Sequence, residues 1–87
     1  MTTFNLLLVT PKGKIFNDKI VSLEAPGEEG CFGVLAHHTP FVAKLKKGIL
    51  RIKGDSSHTF EIGSGVLEVN DENEVLVLAD EAQPATS

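Results

Sequence analysis

The amino-acid sequence predicts an all-β domain, a flattened β-sandwich or barrel of about eight to ten short strands. Apolar residues recur with period two rather than 3.6. Clusters of Gly, Pro, Asn, Asp and Ser interrupt the chain every 7 to 12 residues, the spacing of turns between short strands. No segment carries an apolar stripe at helical spacing, and no internal repeat is present. With 87 residues the chain makes one domain, large enough for a two-layer core. A chain of this size buries only roughly 60–65% of its unfolded surface, so modest stability is expected.

The strands follow in order. Residues 4–10 read as a strand with Leu6 and Leu8 on one face and Leu7 and Val9 on the other. Two apolar faces suggest a strand covered on both sides, or one whose second side docks onto something else. Pro11-Lys12-Gly13-Lys14 is a turn, with Pro and Gly each in a preferred role. Ile15-Phe16 restarts the chain and Asn17-Asp18 interrupts it. From residue 20 to 25 the pattern alternates, with Val21, Leu23 and Ala25 against Ser22 and Glu24, and Pro26-Gly27 closes it.

Residues 31–35 form a short apolar strand, and 41–45 another with Phe41, Ala43 and Leu45 on one face. Lys46-Lys47-Gly48 is a turn. Leu50 and Ile52 then alternate with Arg51 and Lys53, and Gly54-Asp55-Ser56-Ser57 has the composition of a hairpin turn. His58, Phe60 and Ile62 share one face of the next strand, with Thr59 and Glu61 opposite. Gly63-Ser64-Gly65 is a sharp bend or a bulge at a close strand crossing. Residues 66–69 and 74–79 are strands joined by Asn70-Asp71-Glu72-Asn73. The domain thus spans 1–80, and 81–87 is expected as a polar, flexible tail.

Composition excludes several function classes. No apolar run approaches the ~20 residues of a membrane span, so no direct membrane insertion is expected. Residues 1–5 lack the basic region of a secretory signal and the arginines of a transit peptide. The single Cys31 rules out an intrachain disulfide, which fits a reducing compartment. Net charge is −4, unevenly placed: the first 53 residues hold all eight basic groups against four acidic, and the last 34 hold eight acidic and no basic groups. Lys44, Lys46, Lys47, Arg51 and Lys53 form a basic cluster, but no aromatic side chains interleave with it, so nucleic acid is not the expected partner. A solvated turn or a docking surface for an acidic protein suits it better.

Residues 27–41, Gly-Glu-Glu-Gly-Cys-Phe-Gly-Val-Leu-Ala-His-His-Thr-Pro-Phe, are the richest in conformational signals. Gly27, Gly30 and Gly33 do not make a phosphate cradle. Such a cradle needs a helix N-terminus behind it, and Glu28 and Glu29 would repel phosphate. Cys31 with His37 or His38 invites a nucleophile–base pair, but that chemistry needs hydrogen-bond contact and an orienting third group. Cys31 sits in an apolar run, the setting of a packed free cysteine. His37 and His38 are adjacent, so on an extended chain they point to opposite faces and do not share a metal. Catalytic residues, metal ligands and cofactors are therefore expected to be none. The alternative to a structural subunit is a free-standing β-sandwich module for a sugar or peptide, although a sugar platform wants Trp or Tyr and this chain has neither.

The same fifteen residues resemble the Gly-x-x-Gly-x-x-Gly-[Ile/Val]-x-Pro-x-His-x-Pro segment of the ε-subunit family of F-type ATP synthases. Leu45-Lys46-Lys47-Gly48-Ile49-Leu50-Arg51-Ile52 resembles the family's Leu-Lys-Pro-Gly turn and the strand after it. Gly63-Ser64-Gly65-Val66-Leu67-Glu68-Val69, followed by Val75-Leu76-Val77-Leu78-Ala79-Asp80, resembles the end of the family's β domain. The three stretches stand in the family's order and spacing and cover essentially the whole chain. The resemblance implies a ten-strand flattened sandwich without its usual C-terminal helical hairpin.

It also implies a function: a non-catalytic central-stalk (rotor) subunit that links the γ shaft to the membrane c-ring and couples proton flow to ATP synthesis. The implied partners are the γ subunit and the c-ring, in a hetero-oligomer, with the free chain expected to be monomeric. The implied location is the cytoplasmic face of a bacterial inner membrane, or a plastid thylakoid. Glu28, Glu29, Gly30, Cys31 and His38 are the residues implied on the c-ring side. Thr10, Ala43 and Ala79 are weaker candidates on the γ side. The chain departs from the family pattern at Cys31, Ala36 and His37, where the family commonly has an acidic residue, Pro and Gly.

Overall fold

A computed structural model describes residues 2–85. Ten strands alternate with short turns: β1 Phe4–Thr10, β2 Gly13–Ile20, β3 Ser22–Gly27, β4 Gly30–Leu35, β5 Phe41–Leu45, β6 Gly48–Lys53, β7 Ser57–Ile62, β8 Gly65–Val69, β9 Glu74–Ala79 and β10 Ala82–Pro84. They hydrogen-bond in the order β10-β7-β6-β3-β5-β8-β9-β1-β2, with β4 on the outer side of β3. The sheet curls into the expected flattened sandwich.

All pairs are antiparallel except β1 with β9. β1 inserts between β2 and β9, in register Leu7↔Leu76 and Val9↔Leu78. No tight turn can join two parallel neighbours, and here the rest of the chain lies between them.

Alternation decides the core. Phe4, Leu6 and Leu8 of β1, Val75, Val77 and Ala79 of β9, and Leu67 and Val69 of β8 point inward. Leu23, Ala25 and Val34 come from the β3–β4 hairpin, and Leu50, Ile52, Phe60 and Ile62 from β6 and β7. With Ile20 of β2 and Leu45 of β5, eleven large apolar side chains are under 2% exposed, each worth roughly 1.5–3 kcal/mol of burial. Phe16 stands edge-on to Phe60 with ring centroids 6.2 Å apart and closes the sandwich between β2 and β7.

The strand boundaries differ from the sequence expectation in three places. Asn17-Asp18 does not interrupt β2, because both residues pair with β1 (Leu7↔Asn17, Leu6↔Asp18) and their side chains are exposed on an edge strand. The irregularity falls instead at Leu8/Val9, where the register with β2 shifts. Pro26-Gly27 does not end its strand: Gly27 pairs with Gly30, and the Pro26 carbonyl accepts the Lys46 N–H at 2.9 Å. The expected tail is partly structured. Ala82–Pro84 pair with Ile62, Glu61 and Phe60 of β7, and the Ala85 N–H reaches the Thr59 carbonyl at 2.8 Å. The tail's residues 86–87 lie outside the described residues.

The Gly63-Ser64-Gly65 bend is a close crossing. Asp80 packs onto Gly63, the Ser64 hydroxyl donates to Asp80 Oδ2 at 3.2 Å, and the Asp80 N–H donates to the Ser64 carbonyl at 3.0 Å. A side chain at Gly65 would collide with the Leu78 carbonyl.

Candidate docking surfaces

Two surfaces stand out, and both follow from strand alternation. The first is the outer face of β5, β8, β9 and β1. Inward positions there take the core residues, so Leu7, Val9, Val42, Val66, Leu76 and Leu78 must point outward. Val42 is 65% exposed, Leu78 48% and Val66 38%. The ladder aligns them: Val9 lies across from Leu78 and Leu78 across from Val66, while Leu7 lies across from Leu76. Six apolar side chains on four adjacent strands form one patch. Soluble domains seldom leave such a patch bare.

Charge is polarised along this patch. Lys44 lies across from Val66, and Lys14 across from Val9, at one end. At the other end, Glu68 and Glu74 join Asn5, Asn17, Leu7 and Leu76 around a shallow groove of about 400 Å³.

The second surface is the β3–β4 hairpin end. Gly27 and Gly30 close a two-residue turn that displays Glu28 and Glu29 to solvent. Gly30 has φ +132°, a conformation that side-chain-bearing residues rarely adopt. A Cβ on Gly27 would sit 2.7 Å from the Gly30 carbonyl oxygen and 2.9 Å from the Phe32 ring. The turn is held against β5 by the Glu28 N–H, which donates to the Lys44 carbonyl at 3.1 Å. A groove of about 310 Å³ runs between this turn and Val42, Ala43 and Lys44, so the two surfaces adjoin.

The residues singled out from sequence distribute as follows. Glu28, Glu29, Gly30 and Cys31 are contiguous and exposed at the hairpin end. His38 is not with them; it follows the far end of β4, about 20 Å of strand away. Its Nδ1 is 2.8 Å from the Thr39 carbonyl, and its ring lies against Phe41 with centroids 4.7 Å apart. Phe41 in turn meets Phe32 at 5.8 Å. Thr10 and Ala79 are 7% and 6% exposed on the inner face, and Ala43 is half-buried on the same side. Their sequence neighbours Val9, Leu78 and Val42 are the outward residues. The sequence holds the signal for this, since both parities of 4–10 are apolar, but choosing the inward parity needs the pairing.

Cys31 is exposed, not packed as its apolar run suggests. It lies across from Pro26 on the outward side of the hairpin, while Phe32 and Val34 take the inward positions. The sequence places His37 and His38 beyond the other end of the strand, and neither groove unites Cys31 with a histidine. Among the described residues, no three His, Cys, Asp or Glu side chains are grouped as metal ligands. No helix of the structure is long and apolar enough to cross a membrane.

Comparison with known proteins accords with this geometry. A family model described as the ATP synthase, Delta/Epsilon chain, beta-sandwich domain matches residues 3–85. The ATP synthase epsilon chain of Aliarcobacter butzleri is 44% identical over 88 aligned positions, covering 100% of this chain and 70% of that protein. The epsilon chain of Rhodopseudomonas palustris is 41% identical over 86 positions, covering 98% of this chain and 63% of the relative. In a solved structure of the Euglena gracilis mitochondrial ATP synthase (OSCP/F1/c-ring), one chain superposes with TM-score 0.89 at 28% identity, over 97% of this chain and 54% of that one. A chain of the Tetrahymena thermophila central stalk/c-ring structure shares the fold, with TM-score 0.82 at 16% identity, over 94% of this chain and 66% of that one. This chain spans about 59% of the length of the Anaeromyxobacter relatives it matches.

Proposed function

The chain belongs to the ATP synthase delta/epsilon β-sandwich family, and from that premise we propose that it is a non-catalytic central-stalk element that transmits rotation between the γ shaft and the c-ring. The supporting observation is the outer apolar patch of Leu7, Val9, Val42, Val66, Leu76 and Leu78 on an otherwise well-packed domain. Removing such a patch from water against a large partner is favourable at roughly 25 cal/mol per Å². The γ shaft takes this patch. The positions near it named from sequence, Thr10, Ala43 and Ala79, support the patch from behind rather than touch the partner.

The adjoining hairpin end, Glu28, Glu29, Gly30 and Cys31, faces the polar loops of the c-ring. His38 belongs to the same proposal from the other end of β4, where it braces Phe41. Transmission of torque needs a stiff body between two grips. Ten short strands tied by one hydrogen-bonded ladder supply the stiffness, and the two surfaces meet at Val42. The complex sits at the cytoplasmic face of a bacterial inner membrane, and the domain reaches the membrane only through its partners.

The test is co-purification with the γ subunit. The double substitution Val66→Lys with Leu78→Lys puts two charges in the middle of the patch and leaves the core alone. Capture of γ is expected to fall at least ~10-fold, as for central residues of an interface, with unfolding temperature unchanged. Undiminished capture would remove the patch from the γ interface. The free-standing ligand-binding alternative is not favoured by any of the relatives.

A further inference from the structure

We propose that the groove at the acidic end of the apolar patch is a socket for one arginine of the γ shaft, which fixes how the shaft is seated on the domain. This inference rests on the γ reading of the patch and adds the chemical group that the patch selects.

Strand pairing builds the socket. Glu68 of β8, Leu76 of β9, Leu7 of β1 and Asn17 of β2 stand in one row across the sheet, and Glu74 and Asn5 stand in the next. Glu68 and Glu74 are therefore diagonal neighbours on adjacent antiparallel strands, about 7–8 Å apart at their Cα atoms. Both are exposed on the outer face, and the half-buried Leu7 and Leu76 line the groove beside them.

Two like charges this close repel each other. Among the described residues, the salt bridge is Arg51–Glu24 on the β3–β6 ladder, and no Lys or Arg bridges Glu68 or Glu74. Lys19 lies across from Asn5, with β1 between it and Glu74. The Asn70 Nδ2 donates to Glu74 Oε1 at 2.9 Å, which holds that carboxylate in place and leaves its Oε2 for a partner.

A long apolar stem ending in a planar cation meets all of these groups at once. Its methylenes lie on Leu7 and Leu76. Its five N–H donors reach both carboxylates, with the side-chain carbonyls of Asn5 and Asn17 as further acceptors. Lysine fits less well, because its compact ammonium is more strongly hydrated and has no fork to span two carboxylates. The apolar patch beside the groove excludes water once the shaft is seated, so this pairing is stronger than an exposed one. At the other end of the patch, Lys14 and Lys44 flank Val9 and Val66 and repel the same cation. The charge gradient thus admits the shaft in one orientation, whereas apolar contact by itself is non-directional.

Glu68→Gln with Glu74→Gln removes both charges and keeps the size of both side chains. Capture of γ by this variant is expected to fall roughly 10-fold at low salt. It should also lose most of its salt dependence, whereas wild-type capture weakens steadily as salt rises. Modification of γ arginines by phenylglyoxal, mapped by mass spectrometry, should find one arginine shielded by the wild-type domain and reactive beside the variant. The isolated variant is expected to melt no lower than wild type, because the repulsion is gone. Equal capture with equal salt dependence overturns the proposal, as does the absence of an arginine shielded by wild type alone. A carbodiimide cross-link from Glu68 or Glu74 to a γ lysine also overturns it, since the occupant is then an ammonium. Val66→Lys with Leu78→Lys keeps the two readings apart. Loss of capture there, with none in the glutamine pair, removes the socket and leaves the γ patch standing; undiminished capture there removes both.

Discussion

Asn73 and His37 hold each other in the left-handed conformation, each with φ 62°. The Asn73 side-chain carbonyl accepts the His37 N–H at 2.6 Å, while its Nδ2 donates to the Thr3 carbonyl at 3.0 Å. One amide thus ties the turn after β4 to the β8–β9 turn and to the start of β1. Replacing Asn73 by Ala removes both bonds and places a residue without a local acceptor at positive φ. The expected loss is about 1–3 kcal/mol, a fall in Tm of roughly 4–8 °C per kcal/mol for a domain this size. Thermal unfolding and exchange of the His37 amide measure it; an unchanged Tm with unchanged protection would show that the strap contributes nothing.

Gly65 and Gly33 make a matched pair for substitution. At Gly65 a Cβ runs into the Leu78 carbonyl and lies 3.0 Å from the Ala79 Cα, whereas at Gly33 the nearest atom is the Leu23 carbonyl at 3.8 Å. Gly65→Ala must push β9 away from β8 and is expected to cost about 1–3 kcal/mol. Gly33→Ala should be neutral or slightly stabilising, within about 0.5 kcal/mol. Urea titration of the two variants compares them. Equal midpoints would mean that the β8–β9 crossing is looser than its geometry.

Cys31, exposed at the hairpin, is expected to react with a thiol reagent without prior unfolding. Cys31→Ser should leave stability within about 0.5 kcal/mol, since no packing is lost. Labelling that waits on denaturant would place the sulfur inside. The same measurement in the assembled complex reports on the hairpin, because a docked hairpin end shields the thiol.

Charge reversal at Glu28 and Glu29 together tests the c-ring contact. Both side chains project from a turn closed by Gly27 and Gly30, so the fold does not depend on them. Membranes carrying the double lysine variant are expected to pump protons poorly against ATP turnover, while the isolated domain melts as before. Normal coupling would remove this turn from the contact with the ring.

The Arg51–Glu24 pair on the β3–β6 ladder bridges at 3.3 Å with both side chains about half exposed. Such a pair contributes about 0–1 kcal/mol. Arg51→Ala is therefore expected to shift the urea midpoint very little, and a large shift would point to packing by the arginine stem rather than to its charge.

Sequence alone determined the class of this domain and nearly all of its strands. Period-two alternation is written residue by residue, and Gly, Pro and Asn restrict the backbone where they stand, so local signals suffice. The motifs at 27–41, 45–52 and 63–80 likewise made the family legible. Tertiary structure decided the rest. In 4–10 both parities are apolar, and only the parallel pairing of β1 with β9 shows that Leu6 and Leu8 go in while Leu7 and Val9 stay out. For the same reason Thr10 and Ala79 lie inside, Cys31 lies outside, and β4 keeps a free edge. Pairing joins residues some 70 positions apart, as Asn5 meets Glu74, and no local pattern encodes which strand will be the neighbour.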